Sequence, residues 1–288
     1  LKKRIVAALA AAILCLTTLV LVIRLRTDQL LFPNVPGTST APVVASLAAG
    51  RSSSGRMLLR GYGVDRLGCV LFFPGQHGGI ANYEKTLIPS LASQGIRVFA
   101  ASYPGQDGAP GAADVDGVKV QASKAVLFAS GVCGPERTVV VGRSLGTMVA
   151  AESLNTVPAA GLVLISAAPS LSAAFHAQLR THWYTRPLRM LPASAFVQRD
   201  ISLTGALGER SLVPLVIFQG TRDLRTPLEL LRIPGVVPHG AQIVMVAGGT
   251  HENTYLLANH RIVEAVKWLL SSHESDNSSA PNPLRGPT

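Results

Sequence analysis

Six short runs dominate the body of this chain: CVLFF (69–73), RVFAAS (97–102), TVVVG (138–142), LVLISA (162–167), LVIFQ (215–219) and QIVMVA (242–247). None alternates apolar with polar residues, as a strand with one wet face would. Each reads as a strand covered on both sides. Helical patterns separate them near 82–94, 114–131, 145–155 and 225–232. A last helix over 258–271 carries Ile262, Val263, Val266, Leu269 and Leu270 at helical spacing. Such alternation implies an α/β fold, a mostly parallel central sheet with helices on both faces. The stretch SLAAGRSSSGRMLLRGYG (46–63) reads as an antiparallel hairpin ahead of it. Residues 169–212 are too long for a plain crossover and read as a small helical cap inserted late in the chain. Residues 273–288 are polar and Pro-rich, the composition of a disordered tail.

The amino-terminal end has a different pattern. Lys2, Lys3 and Arg4 precede IVAALAAAILCLTTLVLVI (5–23), nineteen uncharged residues. As a helix they reach roughly 28 Å, about one bilayer core. A cleaved signal peptide has a shorter apolar region and a small-x-small site soon after it. Here RLRTDQLLFP (24–33) comes at once. A retained N-terminal transmembrane helix over 1–27 therefore fits better, with secretion after signal cleavage the alternative. The three basic residues place the amino terminus inside and the body outside, although Arg24 and Arg26 blunt the asymmetry. Residues 28–40 read as a linker and 41–272 as the folded domain that contains the 169–212 cap.

The formal net charge of +10 suggests nucleic acid, but half of the excess lies in residues 1–26. No basic stripe is interleaved with aromatics, so a nucleic-acid partner is not expected. Twenty of the 26 basic residues are Arg, and Ala and Gly abound. That composition suggests a bacterial genome, and with the anchor it points to the inner membrane, the domain facing the periplasm.

The loops that leave the strands carry the chemistry, since ligands in such sheets sit beyond the strands' carboxyl ends. TVVVG runs into Gly142-Arg143-Ser144-Leu145-Gly146 and then an Ala-rich helix. A serine on a sharp strand-to-helix turn has its hydroxyl lifted clear of the sheet, and the N–H of Leu145 points at the same space. The first core strand leads into PGQHGG (74–79), the fifth into GTRDLRTP (220–227) with Asp223, and the sixth into GGTHENT (248–254) with His251. A serine, an acid and a histidine thus fall at three strand ends in the order Ser, Asp, His. Asp200 and Glu209 are competing acids. Ser102 and Ser166 also lie at strand ends but lack flanking glycines. His176, His182, His239, His260 and His273 show no metal-ligand spacing, so neither a metal nor a cofactor is expected.

These stretches resemble the α/β-hydrolase superfamily over about 45–272, and within it the membrane-anchored abhydrolase-domain serine hydrolases and their bacterial relatives. GRSLG, FPGQHGG (73–79), SYPGQDGAPG (102–111) and the Asp223 and His251 loops carry the resemblance. Pro74 departs from it, standing where the family has a histidine. The resemblance implies an α/β-hydrolase fold and a serine hydrolase. Ser144 would be the nucleophile, His251 the general base and Asp223 the acid that orients it. The backbone N–H groups of Leu145 and Gln76 would hold the oxyanion. His77 and Arg143 are candidates for substrate contact, with a salt bridge beneath the turn the other reading of Arg143. The expected substrate is a small-molecule or lipid-like ester or thioester, cleaved through an acyl-enzyme. A peptidase or amidase using the same triad, and a non-catalytic binding protein on this fold, stand as alternatives.

The cap carries Arg180, Arg186, Arg189, Arg199 and Arg210 beside Phe175, Trp183, Tyr184, Leu188, Met190 and Leu191. That mixture suits either a lid resting on an anionic membrane or a cap packed on its own domain. Cys69 opens one core strand and Cys133 precedes another that the fold makes its neighbour. They are a possible disulfide in an oxidising compartment, or two buried thiols.

Overall fold

The computed structural model describes residues 2–37, 39–50, 55–76, 79–155, 157–181, 183–207 and 213–272. His77, His182, Glu209, Arg210 and the 273–288 tail lie outside the described residues. In chain order the elements are α1 (Lys2–Leu25), α2 (Thr27–Leu31), β1 (Val43–Ala48), β2 (Arg56–Tyr62), β3 (Gly68–Phe73), α3 (Ala81–Glu84), α4 (Leu87–Ala92), β4 (Ile96–Ser102) and α5 (Val115–Cys133). Then come β5 (Thr138–Arg143), α6 (Leu145–Ser153), β6 (Gly161–Ile165), α7 (Leu171–Gln178), α8 (Leu203–Leu207), β7 (Leu215–Gly220), β8 (Gln242–Val246), α9 (Thr254–Leu257) and α10 (Asn259–Ser271).

The eight strands form one sheet in the order β1-β2-β4-β3-β5-β6-β7-β8. β2 pairs antiparallel with β1 and β4, and all other pairs are parallel. The sheet has a core on each side, which explains the missing polar alternation. Leu71, Phe73 and Val140 point into the layer with α5, α6 and the cap. Val70, Phe72, Val139 and Val141 point into the layer with α3, α4, α9 and α10. Each such fully buried side chain contributes roughly 1.5–3 kcal/mol before conformational entropy opposes it. β8 departs from the expectation. At the sheet edge, one of its faces shows Ile243 and Met245 to solvent.

Two expected helices are shorter in the structure. The pattern over 82–94 is split at Lys85–Thr86, where Thr86 leaves helical geometry at φ −138° and ψ −93°. Over 225–232 only a 3₁₀ turn, Leu228–Leu230, forms. There the N–H groups of Arg225 and Thr226 are taken by the Asp223 carboxylate, and Pro227 comes next. α5 has a side-chain cap, the Asp114 carboxylate accepting the Gly117 N–H at 2.8 Å.

α1 is apolar and long enough to cross a bilayer, and no residue of its apolar window is fully buried. Beyond it, Leu31 and Phe32 are buried on the body, within the stretch read as linker. Cys69 and Cys133 are joined as a disulfide with Cα atoms 6.1 Å apart. Asp65 stands near them, but the sulfurs are linked and its carboxylate is held by Arg137 at 2.7 Å.

Candidate active site

Ser144 stands at the junction of β5 and α6 with φ 54° and ψ −120°. A non-glycine residue in such a conformation costs about 1–3 kcal/mol, and surrounding contacts must hold it there. Its own N–H donates to the Ile165 carbonyl at 2.9 Å. The glycines two before and two after it permit the turn. A Cβ on Gly142 would lie 2.3 Å from the Gly146 carbonyl oxygen, and one on Gly146 would lie 2.1 Å from that of Phe73. Leu145 is the first residue of α6, so its N–H has no acceptor within the helix.

The structure brings His251 and Asp223 to this serine. Ser144 Oγ lies 2.8 Å from His251 Nε2. His251 Nδ1 lies 2.9 Å from Asp223 Oδ2 and 3.2 Å from Oδ1. An ionised carboxylate only accepts, so Asp223 accepts a hydrogen bond from the Nδ1 N–H, which leaves Nε2 to accept from the serine hydroxyl. Both groups are buried, His251 at 7% and Asp223 at 3% exposure. Burial alone would raise the Asp223 carboxyl. The His251 ring and the Thr226 N–H and hydroxyl outweigh it and hold the carboxyl below its ordinary value. The Thr226 hydroxyl donates to Oδ2 at 2.7 Å, and the N–H groups of Arg225 and Thr226 donate to Oδ1 at 3.0 and 2.8 Å. Behind this loop, buried Gln219 donates to the Thr226 carbonyl and accepts the Ala167 N–H at 3.0 Å. It thereby ties the end of β7 to the end of β6.

The loop after β3 is clamped by the loop after β4. Tyr103 Oη donates to the Pro74 carbonyl at 3.1 Å, and Gln106 Nε2 to the Gln76 carbonyl at 3.3 Å. The Asp107 carboxylate accepts the Ile80 N–H at 3.0 Å. Asp107 itself sits at φ 48°, its carbonyl held by Arg60 at 2.7 Å. Burial raises the Asp107 carboxyl, and the Ile80 N–H partly offsets that. Proline at 74 thus sits in a loop pinned at both ends, with Gln76 at the cavity wall.

Arg143 also reaches the cavity. Its guanidinium donates to the His251 carbonyl at 2.5 Å and lies 5.4 Å from the Tyr255 ring centroid. No carboxylate pairs with it among the described residues, so it braces the histidine loop instead of forming the alternative salt bridge. Asp200 is occupied in the cap, accepting the Ser172 N–H at 3.1 Å. Ser102 and Ser166 are fully buried.

Above Ser144 and His251 lies a cavity of about 260 Å³. One wall is apolar, built by Leu31, Leu145, Met148, Leu171 and Phe175. The other is polar, with Asn82, Arg143, Arg225 and Glu252. A wider cleft of about 500 Å³ adjoins it between the cap and the Asp223 loop, sharing His251, Phe175 and Arg225. Sequence reasoning singled out the SYPGQDGAPG loop without giving Tyr103, Gln106 or Asp107 a role, and it missed Leu31 and Gln219; their partners, apart from Thr226 for Gln219, lie far away in the chain. Thr226 had a local signal: a threonine three residues after an aspartate is placed to return a hydrogen bond to it.

A sequence profile of the Alpha/beta hydrolase family matches residues 70–275. No curated protein matches the sequence. Solved structures share the fold. An esterase from Pyrococcus furiosus is 17% identical, with a TM-score of 0.64, over 84% of this chain and 97% of its own. A monoacylglycerol lipase from Paleococcus ferrophilus is 21% identical, with a TM-score of 0.54, over 75% and 98%. A thermophilic esterase from Thermogutta terrifontis is 20% identical, with a TM-score of 0.52, over 79% and 96%. At these identities the likeness is one of fold. The profile spans well over half of the sequence, and on that ground the chain belongs to the alpha/beta hydrolase family.

Proposed function

We propose that the protein is a membrane-anchored serine hydrolase that cleaves carboxylic ester or thioester bonds through an acyl-enzyme. The observation that carries this is the unbroken line Ser144 Oγ, His251 Nε2, His251 Nδ1 and Asp223 Oδ2, at 2.8 and 2.9 Å, opening into a cavity. Ser144 Oγ attacks the carbonyl carbon while its proton passes to His251 Nε2. The oxyanion is held by the N–H groups of Leu145 and Gln76, worth a few kcal/mol per donor. His251 then gives the proton to the departing alcohol or thiol. Water, deprotonated by the same nitrogen, releases the acid and restores the serine. The apolar wall suits the acyl part, and the wider adjoining cleft leaves room for the leaving group.

The membrane part of the reading rests on α1 and on the cap. Phe196, Ile201, Leu203 and Leu207 of the cap are buried, whereas Trp183, Tyr184 and Met190 are exposed. These three stand among exposed Arg180, Arg186 and Arg189. The same segment meets the end of α1 at Ser194. Aromatics and cations beside a spanning helix suit an anionic bilayer surface. An outward-facing domain accords with the disulfide.

The test is covalent labelling of the full-length chain in detergent by a fluorophosphonate. Wild type is expected to react at Ser144, and Ser144→Ala and His251→Ala are expected to lose labelling. Ester turnover by Ser144→Ala should fall by 10⁴-fold or more, on the order of other serine hydrolases. A folded wild type that neither labels nor turns over esters would leave the fold as a binding module.

A further inference from the structure

The far end of α1 is not a free tether. Arg24 donates to the Ser194 carbonyl, and Thr27 Oγ1 donates to the Phe196 carbonyl at 3.1 Å, both in the cap. Val20 and Ile23 pack against the core of the body. α2 then runs to the site. The Leu30 carbonyl accepts from Gln76 Nε2, in the loop proposed to hold the oxyanion. Phe32 meets Tyr103 edge-on at 5.2 Å between centroids, and Tyr103 holds that same loop. Between these two contacts Leu31 is 8% exposed and lines the cavity with Met148 and Phe175. The short segment beyond the apolar run therefore touches the cap, the oxyanion loop and the acyl wall together.

We propose that Leu31 is a specificity-determining residue that limits the length of acyl chain the site accepts, which makes the juxtamembrane segment 24–32 part of the substrate site. This rests on the serine-hydrolase reading of Ser144. The cavity, at about 260 Å³, falls just under the roughly 300–1,000 Å³ of drug-sized sites. Its apolar side brings together Leu31 of α2, Leu171 and Phe175 of the cap and Leu145 and Met148 of α6, and Leu31 is the side chain α2 places there. The substrate class is then an ester of a short to medium apolar acyl chain. A longer chain is excluded by Leu31, not by the sheet.

The experiment uses full-length protein in detergent with p-nitrophenyl esters from acetate to decanoate. The readout is the ratio of kcat/KM for decanoate to that for butyrate within each preparation, which does not depend on the folded fraction. Leu31→Ala is expected to raise the ratio about tenfold or more, through KM for the long ester. Leu31→Trp, which fills the same space, is expected to lower it by a similar factor. Leu31→Met, close in volume, and Leu127→Ala, an exposed side chain on α5, are expected to keep the wild-type ratio. Wild-type ratios in both Leu31→Ala and Leu31→Trp would overturn the proposal while leaving the hydrolase reading intact. Absence of both labelling and ester turnover in wild type would overturn both.

Discussion

Ser144 and Asp223 are shaped by what surrounds them more than by what they are. The left-handed backbone of Ser144 is a local cost that the Ile165 carbonyl and the close-packed glycines sustain. Asp223 is buried yet held ionised, because three donors besides His251 face its two oxygens. Its folded-state value lies below the ordinary one near 3.8. The stability it contributes is therefore fully present above that value and is lost as pH falls through the folded-state value. Asp223→Asn should remove this acid-side slope in urea midpoints measured from pH 6 to 2.5. It should also cut kcat by about 10⁴-fold at neutral pH, since an amide turned to Nδ1 favours the wrong histidine tautomer. An unchanged acid slope would mean that Asp223 is not the linked group. Of this site, the serine, the acid and the histidine were readable as strand-end residues. Gln219 and Asp107 were not, because a buried side chain's partner is set by packing between distant loops.

At the scale of elements, the turn from β5 to α6 requires glycine at two places for a reason distinct from flexibility. Backbone crosses backbone there, and no side chain can yield. Gly146→Ala should lower stability by several kcal/mol, since its Cβ would meet the Phe73 and Pro74 carbonyls. Gly131→Ala should do the opposite. That glycine lies inside α5 with nothing within 4 Å of its added Cβ, and alanine there should stabilise by about 0.5–1 kcal/mol. Thermal or urea unfolding of the two variants checks both signs. The helix patterns over 114–131 and 258–271 matched real helices because each has one long buried stripe. The pattern over 225–232 did not: only the 3₁₀ turn Leu228–Leu230 forms there.

For the whole molecule, the disulfide joins the start of β3 to the end of α5, across a separation of 64 residues. In the chain-entropy account this stabilises by about 4 kcal/mol. The double variant Cys69→Ala, Cys133→Ala should lower the midpoint of thermal unfolding by about 10 °C. Denatured, oxidised wild type should show one reactive thiol, that of Cys15, which is unpaired. Three reactive thiols would show that the pair does not form.

The order of strands and helices, the placement of Ser144, Asp223 and His251 beyond strand ends, and the apolar helix at the amino terminus were determined by the sequence alone. Local periodicity and chain order carry that information directly. Four features needed the tertiary structure: the clamp of Tyr103, Gln106 and Asp107 on the loop after β3, the exposed face of β8, the division of the cap into buried and exposed halves, and Leu31 in the wall of the cavity. Each depends on which surfaces meet after the chain closes long loops, and no spacing along the sequence encodes that.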